Sequence, residues 1–458
     1  MNRTAVVILA AGQGTRIKSA RPKILHPVAG MPMVLWSVEN ARALGADSIL
    51  LVVGEGADDV RSTVGDGVEY AVQKERLGTG HALLQARDAL LDRADVVLVL
   101  YGDMPTLRRE TMQAMLALHD RCRPAVTMLT VMADDSMGFG RVVRDDAGRV
   151  TAIVEEAVAT PEILSIRELN CGVYCFDAEW LWQRLLDVPL TLPKNEYYLT
   201  DMVGLAVADG RAVEVVTVAD VAEVQGVNTR VHLAESERIL RDRINERMML
   251  DGVTMIDPAT TYIDATVRVG RDSVIYPNTM LRGDTAIGQN CEIGPNSVIV
   301  DSRIGDGCRI MASVLEEAVM DDGAEIGPYG HLRKGAHLGA GVHMGNFGEV
   351  KNSYLAPGTK MGHFSYVGDS EIEENVNIGA GTVTCNYDGR NKHRTAIGAG
   401  AFIGSGTMLV APVTVGKGAR TGAGSVLTHD LPDHTLAYGV PARPIRRLDD
   451  DEEAHDQA

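Results

Sequence analysis

The sequence predicts two domains of different class: a Rossmann-like α/β domain with a mostly parallel, doubly wound sheet, then a parallel β-helix, with one long helix between. Three observations predict this. Over residues 4–228, short apolar runs alternate with segments of helical spacing, the pattern of βα units. From Ile263 to about Val426, aliphatic residues recur every six positions, which no α-helix does. Between the two, Arg230 to Leu250 is rich in Glu, Arg, Leu and Ile at helical spacing. The domains expected are 1–229, a linker helix over 230–250, a β-helix over 251–447, and an acidic, disordered tail over 448–458.

In the first domain the apolar runs are residues 5–11, 48–53, 95–101 and 125–131, and the helical segments are 33–44, 79–91 and 106–119. The start of the chain passes from an apolar run directly into Gly12, so it reads as a buried strand and not as a signal peptide. Open parallel sheets bind ligands beyond the carboxyl ends of their strands, and the unusual residues sit there. After the first run come Leu9, Ala10, Ala11, Gly12, Gln13, Gly14, Thr15 and Arg16, followed by Arg21, Pro22 and Lys23. Two glycines let backbone approach phosphate oxygens. Amides of the loop and of the helix start expected after it would face the anion, and Arg16 and Lys23 would add charge. The spacing is not that of a Walker A loop, and Ile17 fills the third glycine position of the dinucleotide fingerprint. The third run delivers Tyr101, Gly102 and Asp103. Asp103 reads equally as a ligand for a hard cation and as the N-cap of a helix starting near Pro105.

These stretches, with Gln73, Gly78 and Thr79, resemble the sugar-nucleotide pyrophosphorylase family. Gly140, Arg141, Glu155, Asn170 and Asn228 are similar to its uridyltransferase branch. The resemblance implies that Leu9 to Arg16, Gln73, Gly78, Thr79, Tyr101 and Gly102 hold a uridine nucleotide. It implies that Lys23 contacts phosphate, that Gly140, Glu155 and Asn170 hold an amino sugar, and that Asp103 and Asn228 bind Mg2+. Phosphoryl transfer of this kind needs positioning and charge neutralisation more than a covalent protein group.

The linker, with Leu233, Ile239, Leu240 and Ile244 at helical spacing, reads as one exposed surface helix. The β-helix that follows makes one short strand and one corner from each hexapeptide. Ile263, Val269, Ile275, Leu281, Ile287, Ile293 and Ile299 point into the prism. After an irregular patch the period returns at Ile326, Leu332, Leu338, Met344 and Val350, and again from Ile397 to Val415. A lone repeat buries nothing, so such an array must be long to be stable. His331, His337 and His343 are six apart, hence on different faces, and read as structural or solvent-facing rather than as a metal site. Arg333 and Lys351 are eighteen apart, hence stacked, and two stacked cations call for an anion. His363 suits general-base work. Residues 384–393 carry no hexapeptide pattern and read as a loop thrown out of a corner, the usual place for a solenoid's binding face.

Arg333, Lys351, His363, Tyr366, Asn377, Asn386 and Tyr387 together make this half resemble the hexapeptide acyltransferases. With the first half, the chain to about residue 445 resembles the bifunctional N-acetylglucosamine-1-phosphate uridyltransferase/glucosamine-1-phosphate acetyltransferases. That resemblance implies a left-handed helix, a homotrimer, and acetyl-CoA in a groove between subunits lined by Ala380, Ser405 and Ala423. It gives Arg333, Lys351, Tyr366 and Asn377 to the sugar phosphate, Asn386 and Tyr387 to acetyl-CoA, and the base to His363. It also implies a place in the supply of cell-envelope polysaccharide precursors. Two rivals stand beside it: a single-activity sugar-nucleotide pyrophosphorylase with a purely structural β-helix, and an inactive scaffold of the same build.

Composition agrees with small anionic substrates and no nucleic acid. The 458 residues carry 44 Lys and Arg against 62 Asp and Glu, a net charge of −18, where nucleic-acid binding needs a basic surface. Aromatics are 4%, which suits coils too narrow for large rings. The six cysteines form no C-x-x-C pair and read as reduced thiols. No stretch is long enough to span a membrane, so the expectation is a soluble, cytoplasmic enzyme.

Overall fold

A computed structural model describes residues 2–54, 57–191 and 195–448. The chain divides into two compact units, the first ending at Leu240 and the second beginning at Arg241.

The first unit is built on one twisted sheet. Its main path is β1 (Thr4–Ala10), β2 (Ser48–Gly54), β3 (Glu69–Gln73), β4 (Val96–Tyr101), β5 (Val126–Met132), β6 (Glu168–Asp177) and β7 (Val213–Val218), in the order β7-β5-β6-β4-β1-β2-β3, with the antiparallel pair Arg141–Arg144 and Val150–Val154 joined to β6 off that path. All neighbours are parallel except β6, which runs against both β4 and β5. The run Val6, Val7, Ile8 is wholly buried because both faces of the sheet are covered, each by its own apolar layer.

Helices differ from expectation in three places. Helix α1 (Met33–Ala43) stands where expected, but the segment 79–91 is two short helices, Thr79–Leu84 and Arg87–Leu90. Leu83, Ala86 and Leu90 stay buried across the break, so apolar spacing conceals it. Helix α2 runs Arg109–Cys122. Met104, Thr106 and Leu107 pack into the core ahead of it, so their spacing mimics a helix that has not begun. Asp103 therefore caps no helix. After Gly14 there is only a three-residue 3-10 turn, Thr15–Ile17, so the loop's amides are not the head of an α-helix.

The linker is one helix, α3 (Arg230–Leu250). It is not exposed all round: Ser236, Leu240, Ile244, Asn245 and Met248 form a buried stripe. Glu237 accepts a hydrogen bond from the Ala29 amide in the first unit. Asn245 Nδ2 donates to the carbonyls of Pro258 and Thr261 in the second.

The second unit is a parallel β-helix with three faces. As far as Met408–Val410, each strand pairs with the third strand after it, giving faces that begin at Thr254–Met255, Tyr262–Ile263 and Arg268–Val269. The expected aliphatic residues line the interior, with Val269 only half-buried near the start. A second inward position lies two residues before each of them. Thr279, Thr285, Thr382 and Thr407 occupy it, buried, and each hydroxyl donates to the carbonyl three residues back. These bonds give each inward hydroxyl a partner, as a buried polar group requires. The irregular patch is unbroken helix. Leu281 pairs with Ile299, Ile299 with Leu315, Leu315 with Leu332 and Leu332 with Val350, each one coil further on. Some corners there are one residue shorter, which destroys the period without interrupting the stack. Opposite the expected loop, Ile372 pairs with Ile397, so one coil carries the whole insertion. Strands Thr435–Gly439 and Ala442–Arg447 close the end as an antiparallel hairpin. Leu448, assigned above to the tail, is buried and bonded to His434. The rest of that tail, 449–458, lies outside the described residues.

Candidate active sites

Four parallel strands bring their carboxyl ends to one rim of the first unit. Leu9 lies opposite Tyr101, Ala10 opposite Val53, and Gly54 opposite Gln73. The glycine loop leaves this rim. Gly14 has φ +62°, and a Cβ there would press on the stem of Lys23, with Cδ 2.9 Å away. Gly12 has open space around it, and Ala10 and Ala11 are buried beneath the loop while Arg16 is exposed. Gly102 donates to the Leu9 carbonyl, holding the two strand ends together.

Lys23 is 8% exposed and its ammonium donates to Asp103 Oδ2 (2.5 Å) and Asn228 Oδ1 (2.8 Å). Those two oxygens come from chain segments joined by a backbone bond, Val227 to the Asp103 carbonyl (2.9 Å). A carboxylate and an amide oxygen thus converge on one cation position, the hard-donor chemistry Mg2+ prefers. The residues fit a divalent ion.

Beside this lies a second cluster. Tyr101 is half-buried, and the desolvation of its phenol pushes it well above the usual tyrosine value, with the charges of Asp103 and Glu155 adding to the shift and a hydrogen bond to Thr79 opposing it. Glu155 accepts from Thr200 Oγ1 (3.1 Å). Gly140 backs onto Ile153 and Glu155, where a Cβ would come 2.8 Å from the Ile153 side chain. Asn170 is tied to Gly140 by its own amide, and its side chain is held by Tyr174 Oη. Gln73 is buried and donates to the Gly78 carbonyl, with His81 Nδ1 3.1 Å away. Gly78 packs on Tyr197, and Thr79 Oγ1 accepts from the Leu199 amide. Tyr174, Thr200, Tyr197 and His81 escaped sequence reasoning, as did Arg76, whose Nε donates to the Ala11 carbonyl (3.1 Å). None has a local pattern, since each works through a partner distant in sequence.

In the second unit the predicted residues fall into three groups. Arg333 and Lys351 follow Leu332 and Val350, which pair directly, so they stack at the margin where the chain leaves the second face. Arg333 forms an ion pair with Glu349 (2.9 Å). Lys392, from the insertion, depresses the Lys351 ammonium below the usual lysine value, with Arg333 adding to it and Asp369 opposing. Three cations therefore gather at one corner, beside a cavity of about 270 Å³ lined by Arg333, Lys334, Lys351 and the carboxylates of Asp301, Glu316 and Glu317. Tyr366 stands at the start of the next strand of this face, and its ring lies back over Gly368. Asn386 Nδ2 and Asn352 Nδ2 both donate to Asp369, at 2.5 and 2.6 Å. Burial works to raise that carboxyl. The two amides, with Lys392 and Lys351, outweigh it and hold it below the ordinary aspartate value. The insertion is itself ordered: Asp388 accepts from the amides of Arg390 and Asn391 and faces His393 Nε2 at 2.7 Å, while Tyr387 projects outward.

The second group lies along the corner where the chain enters that face. His363 is exposed there, with Nδ1 3.4 Å from Asn346 Oδ1. Ala380, Ser405 and Ala423 succeed it coil by coil, locked by the bonds from Gly406 to the Ala380 carbonyl and from Gly424 to the Ser405 carbonyl. The third group is Asn377 alone, on the first face between Lys360 and Phe402. One strand of three residues separates the His363 corner from the Lys351 margin, roughly 10 Å at strand rise. His331, His337 and His343 lie on three different faces, and each meets an acid of its own: Glu316, Asp321 and Glu325. Among the described residues, no three His, Cys, Asp or Glu side chains gather as a metal site.

A nucleotide-type loop with a cation-binding oxygen pair, and separately a β-helix with stacked cations and an open histidine, define a two-site transferase. Residues 6–141 match the family of MobA-like NTP transferase domains, and residues 266–300 and 394–429 match the bacterial transferase hexapeptide repeats. Over its whole length the chain is similar to proteins named bifunctional protein GlmU. It is 47% identical to that of Geobacillus sp. (strain WCH70), covering 98% of this chain and 97% of that one. It is 46% identical to that of Heliobacterium modesticaldum, covering 95% of each. It is 47% identical to that of Trichlorobacter lovleyi, again covering 95% of each. The chain belongs to the GlmU family of bifunctional enzymes, which join a uridyltransferase to an acetyltransferase.

Proposed function

We propose that the β-helix transfers the acetyl group of acetyl-CoA to the amine of glucosamine 1-phosphate, and that the first unit then joins the product to UTP, giving UDP-N-acetylglucosamine and pyrophosphate. Supporting the first step, Arg333, Lys351 and Lys392 offer three cations to a phosphate, with Tyr366 on the next strand of the same face; Asn377 would contact the sugar from the first face. Asn346 Oδ1 stands 3.4 Å from His363 Nδ1; a proton on Nδ1 donated to that acceptor leaves Nε2 as the base. Nε2 takes a proton from the 2-amine, nitrogen bonds to the thioester carbonyl carbon, and the coenzyme leaves as thiolate. Ala380, Ser405 and Ala423 would hold acetyl-CoA along the His363 corner, with Asn386 and Tyr387 contacting it from the opposite margin of that face.

For the second step, the loop Leu9 to Arg16 with Gln73, Gly78, Thr79 and Tyr101 binds the nucleotide, and Gly140, Glu155 and Asn170 bind the sugar. Asp103 and Asn228 would hold Mg2+, which supplies charge neutralisation on the triphosphate. Lys23 and Arg16 add to it. A sugar-phosphate oxygen bonds to the α-phosphorus and pyrophosphate departs. The observation that carries the whole reading is the pair of Asp103 and Asn228 oxygens meeting at one cation beside a glycine loop, in a different compact unit from the stacked cations. The enzyme works as a homotrimer through its β-helices, in the cytoplasm where acetyl-CoA and UTP are available. Among the described residues, no helix is long and apolar enough to cross a membrane.

His363→Ala is expected to lower acetyl transfer by about two to four orders of magnitude and leave uridylyl transfer intact, with Asp103→Ala doing the reverse. Separate assays with glucosamine 1-phosphate and acetyl-CoA, and with N-acetylglucosamine 1-phosphate and UTP, test it. Loss of both activities in either variant contradicts the two-site reading.

A further inference from the structure

We infer that Lys23 is a tethered counter-cation that keeps the metal position of the first unit filled until a nucleotide draws it away. The inference rests on the assignment of Asp103 and Asn228 to a divalent ion. Both oxygens that would coordinate the ion are taken by one ammonium, at 2.5 and 2.8 Å. The ammonium is built in: Lys23 is 8% exposed, its stem fills the space a Cβ on Gly14 would take, and a short turn (Lys23–Leu25) fixes its backbone. The Asn228 amide is oriented for the task, since its Nδ2 faces the Gly226 carbonyl and leaves Oδ1 turned to the cation.

A divalent ion cannot share these two oxygens with the ammonium, because like charges within about 4 Å repel strongly at a part-buried site. Metal entry therefore requires Lys23 to leave. The adjacent glycine loop, open at Gly12, admits the anion that receives it, the phosphate chain of the nucleotide. One lysine thus serves two partners in turn, and each binding event favours the other by the same factor. Metal alone binds weakly, so the site does not lock empty around an ion. Without metal, the Asp103 carboxylate stays compensated.

The test is Mn2+ binding to the full chain without nucleotide, read as loss of the free-ion EPR signal, for the wild type, Lys23→Gln, Lys23→Met and Lys23→Arg. Both neutral variants are expected to bind Mn2+ about tenfold more tightly than the wild type, within the usual range of site coupling. They are also expected to gain thermal stability on adding Mn2+, where the wild type gains little. Lys23→Arg keeps a cation in place and stays at the wild-type level. Tryptophan fluorescence melts establish that each variant is folded, and two neutral side chains of different polarity guard against one that is not. Neutral variants that bind Mn2+ no more tightly, or an arginine variant that tightens equally, overturn the displacement. Uridylyl transfer by the wild type that persists in EDTA overturns the metal assignment beneath it.

Discussion

A Cβ at Gly368 would sit inside contact distance of Tyr366 Oη, 2.7 Å from its Cζ and 2.8 Å from Asn386 Nδ2. The missing Cβ is what lets the Tyr366 ring lie over the strand, between the cation corner and the insertion. Gly368→Ala is expected to cut acetyl transfer by about tenfold to a hundredfold, the usual consequence of a displacement near 1 Å. Uridylyl transfer should not change, and paired activity assays check both. At Gly14 the logic is doubled, because φ is +62° and the Lys23 stem blocks any Cβ. Gly14→Ala should lower uridylyl transfer at least as far while acetylation continues at its full rate. Sequence alone shows Gly12, Gly14 and Lys23 plainly, because a loop that cradles phosphate is local. It does not show that Lys23 meets Asp103 and Asn228, 80 and 205 residues on, nor the web of Asn352, Asp369 and Asn386. Such contacts leave no period or spacing to read.

Among the elements, helix α2 carries a concealed acid sensitivity. His119 is buried on it, with Nδ1 3.0 Å from Thr127 Oγ1, and burial holds the imidazole down to about 4. Between the ordinary histidine value near 6.5 and that value, the unfolded chain takes up a proton that the folded chain refuses. Stability contributed by this group is whole above about pH 6.5 and falls as pH drops toward 4, by on the order of 3 kcal/mol. His119→Gln should flatten the acid limb. Trp36, Trp180 and Trp182 are the only tryptophans and all lie in the first unit, so fluorescence melts from pH 7 to pH 4 report on it. An unchanged pH slope in the variant rules His119 out as the source. The β-helix strands were legible for a different reason: each rung buries one aliphatic residue, and burial recurs with the rung. The threonines and serines two positions earlier were not, because small polar residues look alike inside and outside a corner. The short corners between Ile299 and Leu332 likewise hide a stack that continues unbroken.

The two-unit division and the class of each unit follow from the change of period along the chain. The buried stripe of α3, and the ending of the first unit at Leu240 rather than at residue 229, do not, because helical spacing marks a helix without saying what it packs on. Light scattering at micromolar concentration should give the mass of three chains, and a monomer retaining full acetyl transfer would remove the trimer from the account. One chain carries two independent catalytic sites whose reactions follow each other. The deciding experiment supplies glucosamine 1-phosphate, acetyl-CoA, UTP and Mg2+ to His363→Ala, to Asp103→Ala, and to the two mixed. Neither variant alone should yield UDP-N-acetylglucosamine, Asp103→Ala should accumulate N-acetylglucosamine 1-phosphate, and the mixture should restore the final product. A mixture that makes none, or either variant making it unaided, contradicts the account.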